Sequence, residues 1–447
     1  MKNLYIAITC LGIILAGCNK YLDKKPDKSL VIPSSPADLQ ALMDNNDVMN
    51  NNRAAVGEGS ADNYYLTDED YNSFYRESSK SLYIWDDDIT YNDFPNDWSR
   101  SYDAVYYANT VLENIDKVTG GNTGDYDNVK GSALFFRGCS FLTVLWGWAV
   151  VYNPGTADKD LGIPLRLSSD FNETSVRASV QQGYEQVLED LRQAYMLLPE
   201  HALHAMRPCR AAAFGMLARC FLSMQAYDSA LVYASRALAL QAGLMDYNGL
   251  DSLSNAPVPL FNEEVMTALG MIQSSNLYYG KIDTVLYNSY DKDDLRRYIY
   301  FTSNADGSHS FKGNYNNSGY YFCGPAVDEM YLIRAECEAR AGKTGDAMDD
   351  LNTLMVKRWR KGSFIPFAAG NADEALKIIL SERRKELLFR DLRWADLKRL
   401  NLSPQTAVTI YRRLNGTVVS LPPGDLHYAL PIPQQVIALS GMPQNPR

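Results

Sequence analysis

The feature that most constrains the fold is a helical hairpin pattern that occurs twice along the chain. Alanines recur in residues 210–240 where two short helices would face each other, and a weaker copy follows about 117 residues later. Small side chains at such positions let paired helices approach closely. Chance alanine spacing in two unrelated hairpins is the alternative. The aligned positions are Ala218 with Ala335, Ala230 with Ala347, Ala234 with Leu351, Ala237 with Leu354 and Phe214 with Tyr331.

The spacing within the first copy matches the tetratricopeptide pattern, whose repeats are binding or packing scaffolds more often than catalysts. Apolar side chains at helical intervals predict further helices, whereas two stretches rich in Asn, Gly, Ser and Tyr show little helical period. The proline-rich end of the chain predicts little regular structure. We therefore predict a mainly α fold, with tetratricopeptide-like helical pairs at about 99–240 and 326–400 and a loop-rich, irregular second face from about 45–98 and 243–325. The individual helices are expected at 38–44, 126–150, 179–198, 212–225, 228–241 and 373–400.

The N-terminus predicts export. One lysine at position 2 precedes an apolar run from Leu4 to Gly17, and small residues lead into Cys18. This order is typical of a secretory signal, and the run is shorter than the roughly 20 apolar residues that span a bilayer. We predict a lipoprotein signal peptide at 1–17, lipid attachment at Cys18, a lipidated tether at 18–37 and a single domain at 38–447. An ordinary signal peptide with an incidental cysteine is the alternative.

Charge and cysteine content narrow the function. The formal net charge of −10 at pH 7 argues against nucleic acid as a partner, because such proteins favour a basic face. Five cysteines remain after the two at the N-terminus, and their spacing matches no zinc site. We predict that they are buried free thiols, which behave as small hydrophobic side chains. They are Cys139, Cys209, Cys220, Cys323 and Cys337.

No catalytic or cofactor motif occurs in the sequence. It contains neither a nucleophile elbow nor a phosphate-binding loop, so we predict no cofactor and no catalytic residue. His201 and His204 have a spacing that suits a metal on a helix, but Pro199 argues against a helix there. Asp86 to Asp88 offer carboxylates that suit calcium, although a solvated acidic loop is the favoured interpretation. We therefore predict no metal site.

The candidate ligand residues are aromatic. A sugar has apolar C–H faces and hydroxyl edges, so aromatic rings beside polar side chains are suited to bind it. The loop-rich stretches offer both kinds of group, although core packing is the competing interpretation for each ring. The predicted ligand-binding residues are Tyr64, Tyr65, Tyr83, Trp85, Tyr278 and Tyr279.

Three stretches in this order resemble the SusD/RagB family of outer-membrane nutrient-binding lipoproteins. They are the start of the mature chain from Cys18 to Asp23, the helix around residues 329–336, and the run from Glu382 to Leu387 with its continuation at 393–399. One departure is clear: family members commonly carry Glu-Gly where this chain has Arg390-Asp391. The charged residues of the third stretch have helical spacing and predict structural ion pairs. They are Glu382, Arg383, Glu386, Arg393 and Asp396.

The resemblance implies a helical scaffold with a loop-rich ligand face and no catalysis. It also implies a SusC-like TonB-dependent transporter as partner, with the lipoprotein at the outer membrane, facing the cell surface, closing an oligosaccharide over the transporter. Two alternatives stay open. The same architecture binds peptides in some members, and a surface enzyme that degrades polysaccharides would carry a cleft with paired carboxylates.

Overall fold

The computed structural model describes residues 33–89, 95–315 and 319–447. The predicted signal peptide, Cys18 and most of the predicted tether lie outside these residues. No helix in the described part is long and apolar enough to cross a membrane. The helices are α1 (Pro36–Met43), α2 (Asn46–Met49), α3 (Val56–Ser60), α4 (Asp68–Ser73), α5 (Glu77–Tyr83), α6 (Asp97–Asn114), α7 (Thr123–Trp148), α8 (Val180–Leu197), α9 (Arg210–Ser223), α10 (Tyr227–Leu240), α11 (Ser275–Tyr279), α12 (Thr284–Asn288), α13 (Arg296–Ile299), α14 (Val327–Arg340), α15 (Thr344–Met355), α16 (Ala372–Glu386), α17 (Arg393–Leu400) and α18 (Gln434–Ser440).

The long helices pack as consecutive pairs, which confirms the mainly α prediction. Helices α6 to α10 each contact the next one along the chain, and α10 continues onto α14, which contacts both α15 and α16. The small residues that predicted the two hairpins lie at these contacts. Ala218 and Ala230 in the first hairpin and Ala335 and Ala347 in the second are fully buried.

Local sequence determines where these helices begin. Asn122 accepts a hydrogen bond from the Asp125 backbone N–H, and the Asp125 carboxylate accepts one from the Asn122 N–H, so the two residues form a capping box at the start of α7. Ser179 and Gln182 form the same box before α8. Side chains that satisfy the first backbone donors of a helix fix its start to within a residue.

The predicted single helix over 373–400 is wrong, because α16 ends at Glu386 and α17 begins only at Arg393. Phe389 and Asp391 between them have φ angles of 55° and 58°. A residue in this left-handed region cannot continue a right-handed helix. Asp391 stands where family members commonly carry glycine, the residue that adopts such angles without strain. The departure from the family pattern therefore places an ordinary residue at a glycine position.

The strands form five two-stranded antiparallel ribbons in the described part of the chain. The pairs are β1 (Tyr64–Tyr65) with β5 (Lys281–Ile282), β2 (Leu161–Pro164) with β3 (Arg177–Ser179), β4 (Gly270–Ile272) with β8 (Tyr320–Phe322), β6 (Phe301–Ser303) with β7 (His309–Phe311), and β9 (Ile410–Leu414) with β10 (Thr417–Leu421).

Two stretches are more regular than predicted. Four short helices, α2 to α5, occupy much of residues 45–98. The end of the chain, for which little regular structure was expected, contains the β9–β10 hairpin and α18. Asn415 and Gly416 connect the hairpin with φ angles of 48° and 76°. An Asn-Gly pair in this conformation is the preferred two-residue turn between antiparallel strands.

Buried ion pairs attach the loop-rich residues 243–325 to the helical scaffold. The Arg296 guanidinium donates to Glu382 at 2.5 Å and to Glu386 at 3.0 Å. The Arg358 guanidinium donates to Glu386 at 2.6 Å and to Glu264 at 2.7 Å. Burial raises the pKa of Glu264 to about 7, although Arg358 opposes the shift. Because removal of one partner leaves a buried charge, these pairs fix how the loops sit on the helices.

The ion pairs predicted for the charged residues at 382–387 and 393–399 are confirmed. Most of them join residues on different elements rather than within one helix. Arg383 pairs with Asp396 on the next helix at 2.8 Å, and Arg393 pairs with Asp62 at 2.6 Å. Glu382 and Glu386 both contact Arg296, as described above. These charges therefore join distant parts of the chain.

The cysteine prediction is also confirmed. All five cysteines of the described part are free and buried. Burial raises the pKa of Cys139 to about 11 and that of Cys323 to about 12, which keeps both thiols protonated at neutral pH. Such cysteines act as packing groups.

Candidate ligand-binding site

Three of the predicted ligand residues belong to the core. Tyr64, Tyr83 and Trp85 are buried, and their rings surround the Arg412 guanidinium of β9 at 5.1, 4.3 and 5.0 Å. The Trp85 indole N–H donates to the Ser60 carbonyl at 2.9 Å. These rings present no face to a ligand in this structure. The competing interpretation of core packing describes them, because their faces are turned to a buried cation that the rings attract.

The other three predicted residues lie at the surface. Tyr278 is 66% exposed, Tyr279 is also exposed and Tyr65 is half-buried. The rings of Tyr278 and Tyr279 meet edge to face at 5.0 Å, and Tyr279 contacts Phe74 at 5.8 Å. Tyr75, the residue after Phe74, is almost fully exposed. We call the exposed residues Tyr75, Tyr278 and Tyr279 the aromatic rim. The role of Tyr65, Tyr278 and Tyr279 in ligand binding stays a prediction.

A groove of about 460 Å³ lies next to this rim. It runs between α5, the start of α6 and the connection from β4 to α11. Helix α11 carries Tyr278 and Tyr279 at its end. We call it the Arg100 groove. Most of its lining side chains are polar, and the ones used below are Arg76, Asn96, Asp97, Arg100, Gln273, Ser274 and Asn276.

Hydrogen bonds hold the groove in shape while leaving donors for a ligand. The Arg100 guanidinium donates to Asn52 at 2.7 Å through one nitrogen, and the Ala55 N–H donates to Asp97 at 2.7 Å. Burial raises the pKa of Asp97, and the Ala55 N–H and Arg100 oppose the shift. The Asn96 amide nitrogen and the Ser274 hydroxyl are buried without a hydrogen-bond partner among the described residues. Unpartnered polar atoms at a groove favour a polar ligand that forms hydrogen bonds with them.

The groove lining is rich in neutral and cationic hydrogen-bonding groups. Asp97 is the single carboxylate among the described residues that line it. Glycoside hydrolysis ordinarily needs two carboxylates about 5 to 10 Å apart. Guanidinium, amide and hydroxyl groups beside exposed rings instead offer the hydrogen bonds and stacking surface that a sugar requires.

The candidate metal residues are not brought together. His201 is exposed beside Glu200, and the His204 ring accepts a hydrogen bond from the Met206 N–H at 3.1 Å. The described residues contain no group of three or more metal-binding side chains. Asp87 in the predicted acidic loop contacts the His427 ring at 2.8 Å.

Sequence reasoning missed most of the Arg100 groove. Tyr75 and Arg76 follow Phe74 in an exposed aromatic and basic run that could have been recognised as a surface feature. Asn96, Asp97 and Arg100 carry a helix-start signature, and that signature gives no sign of a ligand. The groove exists because residues about 180 positions apart meet, which no local pattern reveals.

Two family profiles match this chain. The SusD-like_3 profile, described as "Starch-binding associating with outer membrane", matches residues 20–222, and the SusD_RagB profile, described as "SusD family", matches residues 327–447. The chain belongs to the SusD/RagB family. The family is associated with the outer membrane and with carbohydrate binding. No curated protein is significantly similar to the chain in sequence.

Solved structures of this superfamily share the fold. A SusD superfamily protein from Bacteroides thetaiotaomicron matches 92% of this chain and 100% of its own with a TM-score of 0.74 at 20% identity. A putative sugar binding protein from Bacteroides vulgatus matches 93% and 99% with a TM-score of 0.74 at 19% identity. A laminarin binding SusD-like protein matches 93% and 100% with a TM-score of 0.65 at 15% identity.

Proposed function

We propose that this protein is an outer-membrane lipoprotein that binds an oligosaccharide in the Arg100 groove and passes it, uncleaved, to a SusC-like TonB-dependent transporter. In this proposal the signal peptide at 1–17 is removed and lipid on Cys18 holds the protein at the cell surface. Acyl chains bury CH₂ groups at about 0.8 kcal/mol each, so a multiply acylated cysteine anchors stably.

The observation that carries the proposal is an open polar groove beside exposed tyrosines on a scaffold of this family. Arg100, Gln273 and Ser274 supply hydrogen-bonding groups, while Tyr278 and Tyr279 supply stacking surface. The name of the laminarin-binding structural neighbour supports a glycan as the ligand class. Among the described residues that line the groove Asp97 is the single carboxylate, which supports binding without cleavage.

The test is binding of the full-length protein in detergent to a panel of polysaccharides and peptide mixtures, by affinity electrophoresis and calorimetry. We expect saturable binding to a glycan with no change in its chain length. Tyr278→Ala should weaken that binding about tenfold, as for a residue worth about 1.4 kcal/mol. Tyr411→Ala is the matched control, because Tyr411 is 64% exposed on β9 and belongs neither to the groove lining nor to the aromatic rim, whereas Tyr278 lies two residues beyond the lining residue Asn276.

Each contrary outcome has a distinct meaning. Saturable binding to peptides alone would replace the glycan by a peptide ligand, and release of shorter sugars would make the protein an enzyme. Equal losses for the two tyrosine variants would remove the Arg100 groove as the site. The anchor is tested separately, because Cys18→Ala should abolish incorporation of radiolabelled palmitate.

A further inference from the structure

A second concavity lies on the opposite face of α6 from the Arg100 groove. Its volume is about 300 Å³, and Trp98, Tyr102, Tyr106 and Phe171 line it. The first three of these side chains are four residues apart on one face of the helix, whereas Asn96, Asp97 and Arg100 point to the other face. We call this concavity the Phe171 pocket. Its walls are more aromatic than those of the Arg100 groove.

Residues 165–176, between β2 and β3, form the loop that closes the Phe171 pocket. Hydrogen bonds from α6 hold this loop in place. The Asn109 amide donates to the carbonyls of Arg166 at 2.9 Å and Ser168 at 3.1 Å. Asn109 is itself held by Arg137 at 2.9 Å, and Arg137 forms two hydrogen bonds with Asp190. A buried chain of polar contacts therefore sets the position of this loop.

The same loop is braced along its length. The Arg166 guanidinium donates to the carbonyls of Asp170 and Glu173, on either side of Phe171 in sequence. The Ser169 N–H donates to Glu113 of α6 at 2.8 Å. The Phe171 ring is nevertheless 84% exposed. An exposed ring on a fixed backbone costs little conformational entropy when a ligand packs against it, which is the meaning of preorganisation.

Apolar exposure concentrates around this pocket. Tyr106 is 48% exposed, and Leu161 before the loop and Leu167 within it are also exposed. Exposed apolar clusters of this kind mark binding surfaces. The Phe171 pocket is concave and has polar groups at its edge, the hydroxyls of Ser168 and Ser175 and the carboxylate of Glu173. Rings around a concavity with acceptors at the edge match the two kinds of surface on a sugar ring.

We propose that the Phe171 pocket is a second carbohydrate subsite that binds one pyranose ring, separate from the Arg100 groove. A ring stacks on the faces of Phe171 and Tyr106, and its hydroxyls donate to Glu173 and exchange hydrogen bonds with Ser168 and Ser175. The volume of about 300 Å³ is at the small end of ligand sites and suits a single ring.

Met442 provides the probe, because it lines the pocket and is buried there. The full-length protein, labelled with ¹³C in the methionine methyl groups, is titrated in detergent with glucose, galactose, mannose, xylose, N-acetylglucosamine and glucuronate to about 0.1 M, which exceeds a millimolar Kd. The Met442 resonance is identified with Met442→Leu. We expect at least one pyranose to shift it saturably.

Three variants distinguish the pocket from other sites. Phe171→Ala should weaken the affinity for the pyranose, measured in this titration, about fivefold. Val176→Ala, at a 70% exposed position on the same loop that does not line the pocket, and Tyr279→Ala in the aromatic rim should leave it unchanged. A Met442 resonance that no pyranose moves would overturn the assignment. So would equal effects of Phe171→Ala and Val176→Ala, or a resonance that responds only to purified transporter, which would make this face a protein interface.

Discussion

Arg412 offers a direct test of the conclusion that Tyr64, Tyr83 and Trp85 are core residues. No carboxylate among the described residues forms a salt bridge with this buried arginine. Its guanidinium donates to the carbonyls of Tyr64 at 2.9 Å and Tyr83 at 3.2 Å and to that of Ala61. Arg412→Met keeps an unbranched apolar stem but removes these donors and the cation between the rings.

The expected loss follows from these contacts. Three carbonyls left without this donor cost at least about 1 kcal/mol each, and a desolvated cation over aromatic rings contributes about 1 to 2 kcal/mol. Recovery of the guanidinium desolvation offsets part of this sum. We therefore expect Arg412→Met to lower the free energy of unfolding by about 3 kcal/mol.

Denaturant unfolding followed by circular dichroism measures this change, and Arg413→Met is the matched control. Arg413 is the next residue of the same strand, and its side chain is exposed. Its substitution should change the free energy of unfolding by less than about 0.5 kcal/mol. If the two variants agree within that margin, the cluster around Arg412 does not stabilise the fold. Glycan affinity of the folded Arg412→Met protein should equal that of the wild type.

Three further predictions concern buried titratable groups. Lys398 donates to the carbonyls of Trp146 and Ala149, and burial lowers its pKa to about 7. Between pH 7 and 10 the unfolded chain therefore binds more protons than the folded protein, so the free energy of unfolding should rise with pH. Denaturant titrations should show this rise to be steeper in the wild type than in Lys398→Met, by up to about 1.4 kcal/mol per pH unit. Burial and Glu58 raise the pKa of Asp391 in the folded protein above its usual value of 3.8. The contribution of Asp391 to the free energy of unfolding therefore falls as the pH rises above 3.8. Asp391→Asn, which tolerates the positive φ, should raise the thermal midpoint at pH 7 and change it little at pH 4; equal effects at both pH values would contradict this. The five buried cysteines should react with a thiol reagent only after the protein is denatured, and labelling of the native protein would contradict their burial.

The helical scaffold could be predicted because its signals are local. Alanine spacing predicted the α9–α10 and α14–α15 hairpins, and apolar side chains at helical intervals predicted a helix over 179–198, where the structure has α8 with Ser179 as its N-cap. The break between α16 and α17 could not be found this way, since Arg390 and Asp391 are not helix breakers by composition. Its cause is a left-handed turn held by tertiary contacts, among them the Asp391 N–H that donates to Glu58.

The ligand face was harder to predict because a tyrosine pattern does not distinguish a core from a surface. Tyr64 and Tyr65 are neighbours on β1, and the alternation of a strand buries one while the other stays partly open. Arg412, which decides that Tyr64, Tyr83 and Trp85 turn inwards, lies more than three hundred residues later in the sequence. At the end of the chain the Asn415-Gly416 pair is a local signal for the last hairpin.

The buried ion pairs have a consequence for exchanging segments between relatives. A chimera that replaces residues 243–325 to acquire another ligand face also replaces Glu264 and Arg296. Arg358 and Glu386 would then remain paired with each other in the recipient scaffold, but Arg358 would lose Glu264 and Glu386 would lose Arg296. A graft therefore succeeds only if the donor segment supplies a carboxylate and a guanidinium at these two positions, or if the recipient pair is changed at the same time. The units that can be transplanted between such proteins are thus bounded by charge partnerships rather than by loop ends.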